Sequence, residues 1–185
     1  LVDHVDSAAR WIAGNGGGVA AGGDGGAAIR GRAMIFVDNA GADVVLGVFP
    51  LVRWLWRQGW RVIMAANDAP SLNDVTADEL RGLWTRGQEM NPSLAEVDAR
   101  IMATGTAAPL IDLTTVSDEL AAAAKDCGLV VLVGMGRAIE SNWFAAFTVP
   151  VLRVAIIKDR QVANTVGGAV FDAICRFEGP ASSNE

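Results

Sequence analysis

The sequence predicts an α/β fold, a three-layer sandwich built on a mostly parallel, doubly wound sheet. Two observations carry this. Six apolar runs of strand length recur after residue 32: "AMIFV" (33–37), "RVIMAA" (61–66), "RIMAT" (100–104), "LVVLV" (129–133), "LRVAII" (152–157) and "AVFDAICRF" (169–177). Segments with helical spacing or helix-start signals lie between them. Strands that are apolar on both faces and alternate with helices belong to a sheet covered on both sides.

The start of the chain stands apart. "GNGGGVAAGGDGG" (14–26) has too few side chains to offset its ordering entropy and reads as a flexible linker. Gly23 to Ala28 has the outward form of a dinucleotide fingerprint, but it precedes a strand instead of following one and is rejected. The expected division is a glycine-rich, largely flexible segment over 1–32, an α/β domain over 33–178 and a tail over 179–185.

The first helix of the domain is expected from Val45, Val48, Phe49, Val52 and Trp56, which share one helical face, with Gly59 as its stop. Thr76-Ala77-Asp78-Glu79 is a capping-box pattern opening the next helix. A similar box from Thr115 to Asp118 is expected to open the helix through "DELAAAAKD". Trp54, Trp56 and Trp60 are read as packing residues, and any exposed subset would mark a homo-oligomer surface.

Composition removes several classes of function. The net charge of −6 comes with no basic run, which argues against a nucleic-acid partner. Cys127 and Cys175 are too far apart for a metal-spaced pair and read as buried thiols in a reducing compartment. The only histidine, His4, falls in what reads as an irregular start, so a His/Cys zinc site is disfavoured and any metal would be held by oxygen. No stretch is apolar enough to span a bilayer, and no secretion signal is evident, so a cytoplasmic protein without a membrane partner is expected.

In a doubly wound sheet the ligand site lies beyond the carboxyl ends of the strands, and polar residues gather there. Asp38, Asn39 and Asp43 follow the first strand; Asn67, Asp68, Asn73 and Asp74 follow the second. Thr104 and Gly105 follow the third, Gly134-Met135-Gly136-Arg137 the fourth, and Lys158 the fifth. Taken singly, each has an ordinary use as a cap, a turn or a solvated strand end. Taken together, two carboxylates (Asp38, Asp74) and the Asn39 amide suit a hard cation such as Mg²⁺ or Mn²⁺. Lys158 and Arg137 could hold phosphate oxygens, and the glycines of "GMGR" would let backbone N–H groups approach an anion.

These loops also carry a resemblance. "FVDNAGADVVLGVFPLVRWLWRQGWRVIMAANDAPSLNDVTADEL", "PLIDLTTVSDELA", "LVVLVGMGRAIESNW" and "RVAIIKDRQVANTVGGAVFDAICRFE" are similar to the metal-dependent damage-control phosphatases (domain of unknown function 89). The nearest branch includes the phosphatase domain fused to eukaryotic pantothenate kinase. The likeness runs over about residues 33 to 178. It implies Asp38, Asn39 and Asp74 as ligands of a catalytic divalent ion (Mn, Co, Ni or Mg), with Lys158 beside them in catalysis. It places Asp43, Asn67, Thr104, Gly105, Gly134, Met135, Gly136, Arg137 and Asn142 around a substrate phosphate. The implied activity is hydrolysis of a small phosphomonoester, 4′-phosphopantetheine or its damaged forms, in coenzyme A metabolism. Methyl transfer to protein carboxylates, claimed for a distant branch, finds no methyl-donor motif here.

Two departures stand out. Val133 occupies a position where relatives carry Glu, and Gly128 one where they carry an acid. About thirty glycine-rich residues stand where relatives have a helical region. These departures motivate the alternative reading, a metal- and phosphate-ester-binding module without turnover.

Overall fold

The computed structural model describes residues 2–16 and 31–179. Its sheet has six strands: β1 (Gly31–Phe36), β2 (Trp60–Ala66), β3 (Ala99–Ala103), β4 (Leu129–Val133), β5 (Val151–Ile156) and β6 (Ala173–Glu178). They lie in the order β3-β2-β1-β4-β5-β6. The first five are parallel, and β6 closes the edge antiparallel to β5. The order runs outward from β1 in both directions, so the chain reverses its winding between β1 and β4. A crevice opens there at the strands' carboxyl ends.

Strand periodicity divides the core. Ala33, Ile35 and Val37 join the cluster beneath α1 (Val5–Asn15), α2 (Phe49–Arg57) and α3 (Ala77–Met90). Met34 and Phe36 point to the opposite face and join the cluster formed with α5 (Asp118–Ala124) and α6 (Arg160–Val166). A short helix, α4 (Pro92–Ala95), follows α3. No helix among the described residues is long and apolar enough to cross a membrane.

Two local expectations change. The first domain helix begins as a π-helical segment, Asp43–Val48, before continuing as α2. A π turn takes an extra residue, so the buried stripe starts at Val44 and passes through Val48, Phe49, Val52 and Leu55, while Val45 is 43% exposed. The cap of α5 is Ser117, whose Oγ accepts from Leu120 N–H; Thr115 instead belongs to a turn on Asp112. The Thr76–Glu79 capping box is present as expected.

The start of the chain is more ordered than expected: Val5–Asn15 forms α1. It docks through Ile12, whose carbonyl accepts from Trp60 Nε1 at 3.0 Å, and through Trp11, whose ring lies 5.4 Å from that of Phe177. His4 Nδ1 lies within hydrogen-bonding distance of the Phe177 backbone. Most of the glycine-rich linker and nearly all of the C-terminal tail lie outside the described residues. Both cysteines are free thiols, and burial pushes Cys127 up to about 11.

Candidate active site

The segments after β1 and β2 are zipped together. Val75 N–H donates to Asp38 O at 2.9 Å, and Ala40 N–H donates to Asn73 O at 2.8 Å. Between these bonds lies an antiparallel bridge pairing Asn39 with Asp74. Backbone pairing thus brings Asp38 and Asn39 to the same place as Asp74, which lies 35 residues beyond Asn39 in sequence. On the other side, Asn67 bridges Thr76 and Ala77 N–H donates to Asn67 O, tying the capped start of α3 to the end of β2.

Arg137 braces the carboxylates from beneath. It stands in a second π-helical segment, Gly136–Glu140, just after β4, and its side chain is fully buried. Nη2 donates to Asp74 Oδ2 at 2.8 Å and to Asn67 Oδ1 at 3.1 Å; Nη1 donates to Val37 O. Nε lies 3.4 Å from Asp38 Oδ1. It is the one buried side-chain nitrogen or oxygen without a hydrogen-bond partner among the described residues. Asn67 Nδ2 also donates to Asp74 Oδ2, at 3.1 Å.

Gly134 sets how closely β4 approaches Asp38. Its φ is +92°, and a Cβ there would fall 1.9 Å from Asp38 Oδ2, so an L side chain is excluded by both backbone and space. Burial pushes the Asp38 carboxyl up to about 6; Arg137 and Lys158 pull it down, and Asp74 and Asp43 add to the rise. Asn39 is oriented at both ends of its amide: Nδ2 donates to Asp43 at 2.7 Å, and Oδ1 accepts from Asn73 Nδ2 at 2.9 Å.

Asp38, Asn39, Asp43, Gly134, Met135 and Lys158 line one groove of about 610 Å³. The other expected site residues lie elsewhere. Arg137 and Asn67 are buried behind the carboxylates, with Arg137 donating to Asp74 and Asn67 and Asn67 donating to Asp74. The Gly134 N–H is already given to Val154 O, so it is not free for an anion. Gly136 packs against the Pro109 carbonyl. Thr104 is buried, with its carbonyl accepting from Ser117 N–H, and Gly105 (φ +86°) makes the turn against Ser117. Asn142 donates to the Ile111 and Arg137 carbonyls and borders a separate cavity of about 780 Å³ whose lining holds one charged side chain, Asp112. Sequence reading missed the role of Asn73. Its signal was its place beside Asp74 in the same polar loop.

No group of three or more His, Cys, Asp or Glu side chains suited to a metal occurs among the described residues; the donor set here is two carboxylates and an amide. That set fits a hard divalent cation. All its donors are oxygen, and Asn39 keeps a lone pair after accepting from Asn73.

A doubly wound sheet with an acidic, amide-bearing crevice at its reversal point defines an α/β domain with a candidate ligand site. The chain matches the Damage-control phosphatase ARMT1-like domain over residues 23–174 and belongs to that family. It is 42% identical over 149 residues to a damage-control phosphatase of Arabidopsis thaliana, covering 79% of this chain and 41% of the relative. It is 40% identical over 176 residues to pantothenate kinase 2 of the same plant, covering 81% and 20%. It is 30% identical over 201 residues to the 4′-phosphopantetheine phosphatase of Mus musculus, covering 80% and 24%. The chain therefore spans less than half the length of these relatives. The fold is shared with a crystal structure of a DUF89 family protein from Pyrococcus horikoshii, with TM-score 0.63, 19% identity, and coverage of 78% of this chain and 46% of that one.

Proposed function

We propose that this chain is a divalent-metal-dependent phosphatase for a small phosphomonoester, 4′-phosphopantetheine or its damaged derivatives being the leading candidates. The observation that carries the reading is the Asn39–Asp74 bridge, which collects Asp38, Asn39 and Asp74 at the reversal point of the sheet. Those three side chains would hold Mg²⁺, Mn²⁺, Co²⁺ or Ni²⁺. When bound, such an ion neutralises charge on a phosphoryl oxygen and acidifies water.

The chain's own residues do the rest. Arg137 holds Asp74 in one orientation and lowers the cost of keeping two carboxylates side by side. Asn73 and Asp43 fix the orientation of the Asn39 amide, its oxygen accepting from Asn73 and its nitrogen donating to Asp43. Gly134 lets the β4 backbone approach Asp38 closely. Lys158 lies in the groove lining and offsets negative charge on the ester oxygens as the bond to the leaving alcohol breaks.

The test is phosphate release from a panel of phosphomonoesters in each of the four ions. Asp38→Ala and Asp74→Ala should each lower turnover by roughly a hundredfold or more, and undiminished turnover in either would remove the site assignment. Ester binding without release in every ion would instead support the binding-module reading, which Val133, standing where the family carries Glu, motivates.

A further inference from the structure

The amino ends of the strands carry an arginine cluster that the crevice at their other ends does not use. Arg32 on β1 and Arg61 on β2 are partners in the parallel ladder, and Arg100 on β3 stands opposite Ile63, two residues beyond Arg61. β2 lies between β1 and β3, so Arg61 stands between the other two arginines. Side chains in register on neighbouring strands share a face, as do residues two apart on one strand. All three guanidiniums therefore leave the sheet on the α5 side. Arg32 Nη1 pairs at 3.2 Å with Asp126, just beyond the end of α5, and Arg100 Nη2 pairs at 2.6 Å with Glu119 in its first turn. Arg61 is exposed and takes part in no ion pair among the described residues. The three arginines line one groove of about 200 Å³, together with Asp98 and Ile63.

Like charges directly opposite on neighbouring strands repel, and this concave cluster of cations stands out in a chain of net charge −6. In the lining the arginines exceed the one carboxylate, Asp98, by two charges, which matches a phosphate dianion. Glu119 and Asp126 are each about three-quarters exposed, and each holds a single nitrogen of its arginine. A guanidinium presents five N–H donors in a planar fork that suits phosphate oxygens, so donors remain on all three. We infer that this groove is a second anion site, binding a phosphate dianion across β1, β2 and β3. The dianion is either inorganic phosphate or the terminal phosphate of a metabolite. The groove is smaller than the roughly 300–1,000 Å³ of a pocket for a whole organic ligand, so it grips the phosphate and leaves any organic part in solvent. Six residues of extended chain separate Arg32 from Asp38, roughly 20 Å. The site is thus distinct from the crevice and independent of the phosphatase reading.

The test titrates the chain, in chelator and without divalent metal, with inorganic phosphate and separately with glycerol phosphate. Calorimetry and melting temperature are the readouts. A parallel sodium chloride titration of equal ionic strength separates binding from screening. Wild type should bind phosphate, with a saturable rise in melting temperature that chloride does not give. Arg61→Met and Arg100→Met should each weaken that binding about tenfold or more, the scale of one charge-assisted hydrogen bond. Lys158→Met, in the crevice, should leave it unchanged. Without phosphate, Arg61→Met should melt no lower than wild type, because it removes one of two opposed like charges. An equal loss of stability with and without phosphate would make Arg61 a structural residue and overturn the inference. Binding of both probes supports the site with a metabolite's terminal phosphate as ligand; binding of inorganic phosphate alone supports it with the free ion. No binding by wild type, or an equal rise with chloride, overturns it. Binding that Lys158→Met removes and Arg61→Met keeps puts the anion in the crevice and also overturns it.

Discussion

The two sides of the crevice are built differently. On the β1–β2 side, Asp38 and Asp74 are tied through backbone pairing, Asn67 and the buried Arg137. On the β5 side, Lys158 is exposed; its backbone N–H meets Met135 Sδ at 3.2 Å, and no ion pair to its ammonium is formed among the described residues. The side proposed to hold the metal is thus fixed by the fold itself, and the lysine proposed to meet the phosphate carries no ion pair among the described residues. Fixing oxygen donors in advance avoids reorganisation during reaction. A lysine on a flexible stem can follow oxygens that differ between esters.

That contrast can be broken at three places, in descending order of effect on stability. Arg137→Met removes the brace and leaves two carboxylates facing each other in a buried site. It should destabilise the fold by about 3–5 kcal/mol, read from denaturant unfolding. A change below about 1 kcal/mol would mean that the ion pairs do not hold the site. Gly134→Ala sets a methyl against Asp38 and strains a left-handed backbone. A loss of roughly 1–3 kcal/mol together with weaker metal binding is expected, and wild-type metal affinity would contradict the close approach. Lys158→Met should leave the unfolding curve unchanged while lowering kcat/KM by roughly a hundredfold. A matching loss of stability would place Lys158 among the braced residues and erase the contrast.

Much of this arrangement was readable in the sequence. The apolar runs located all six strands to within a few residues, because strands buried on both faces leave a continuous signal. The strand-end rule directed attention to Asp38, Asn39, Asp74 and Lys158, and the structure sets Asp38, Asn39 and Lys158 along one groove with Asp74 bridged to Asn39. What was not readable depended on tertiary placement. An arginine after Gly-Met-Gly looks like a phosphate clamp until the π-helical segment turns its guanidinium inward beneath two carboxylates. Asn142 and Thr104 lie in loops near strand ends, yet their side chains donate to nearby carbonyls, Asn142 to Ile111 and Arg137 and Thr104 to Thr106. The shifted stripe of the first domain helix arises from one extra residue in its opening turn, which a 3.6-residue period cannot anticipate. Helix α1 was hidden by the glycines that follow it; its amphipathic spacing is short, and its docking depends on Trp60 and Phe177, which lie far along the chain.

Asp38, Asn39 and Asp74 are proposed to form one divalent-cation site. The most direct measurement is the melting temperature of the chain across a Mn²⁺ titration, for wild type, Asp38→Asn and Asp74→Asn. A ligand that binds only the folded state stabilises it by about 2.7 kcal/mol at a hundredfold excess over Kd. Wild type should therefore show a saturable rise of several degrees that each substitution removes. A rise of the same size and midpoint in both variants would contradict the site.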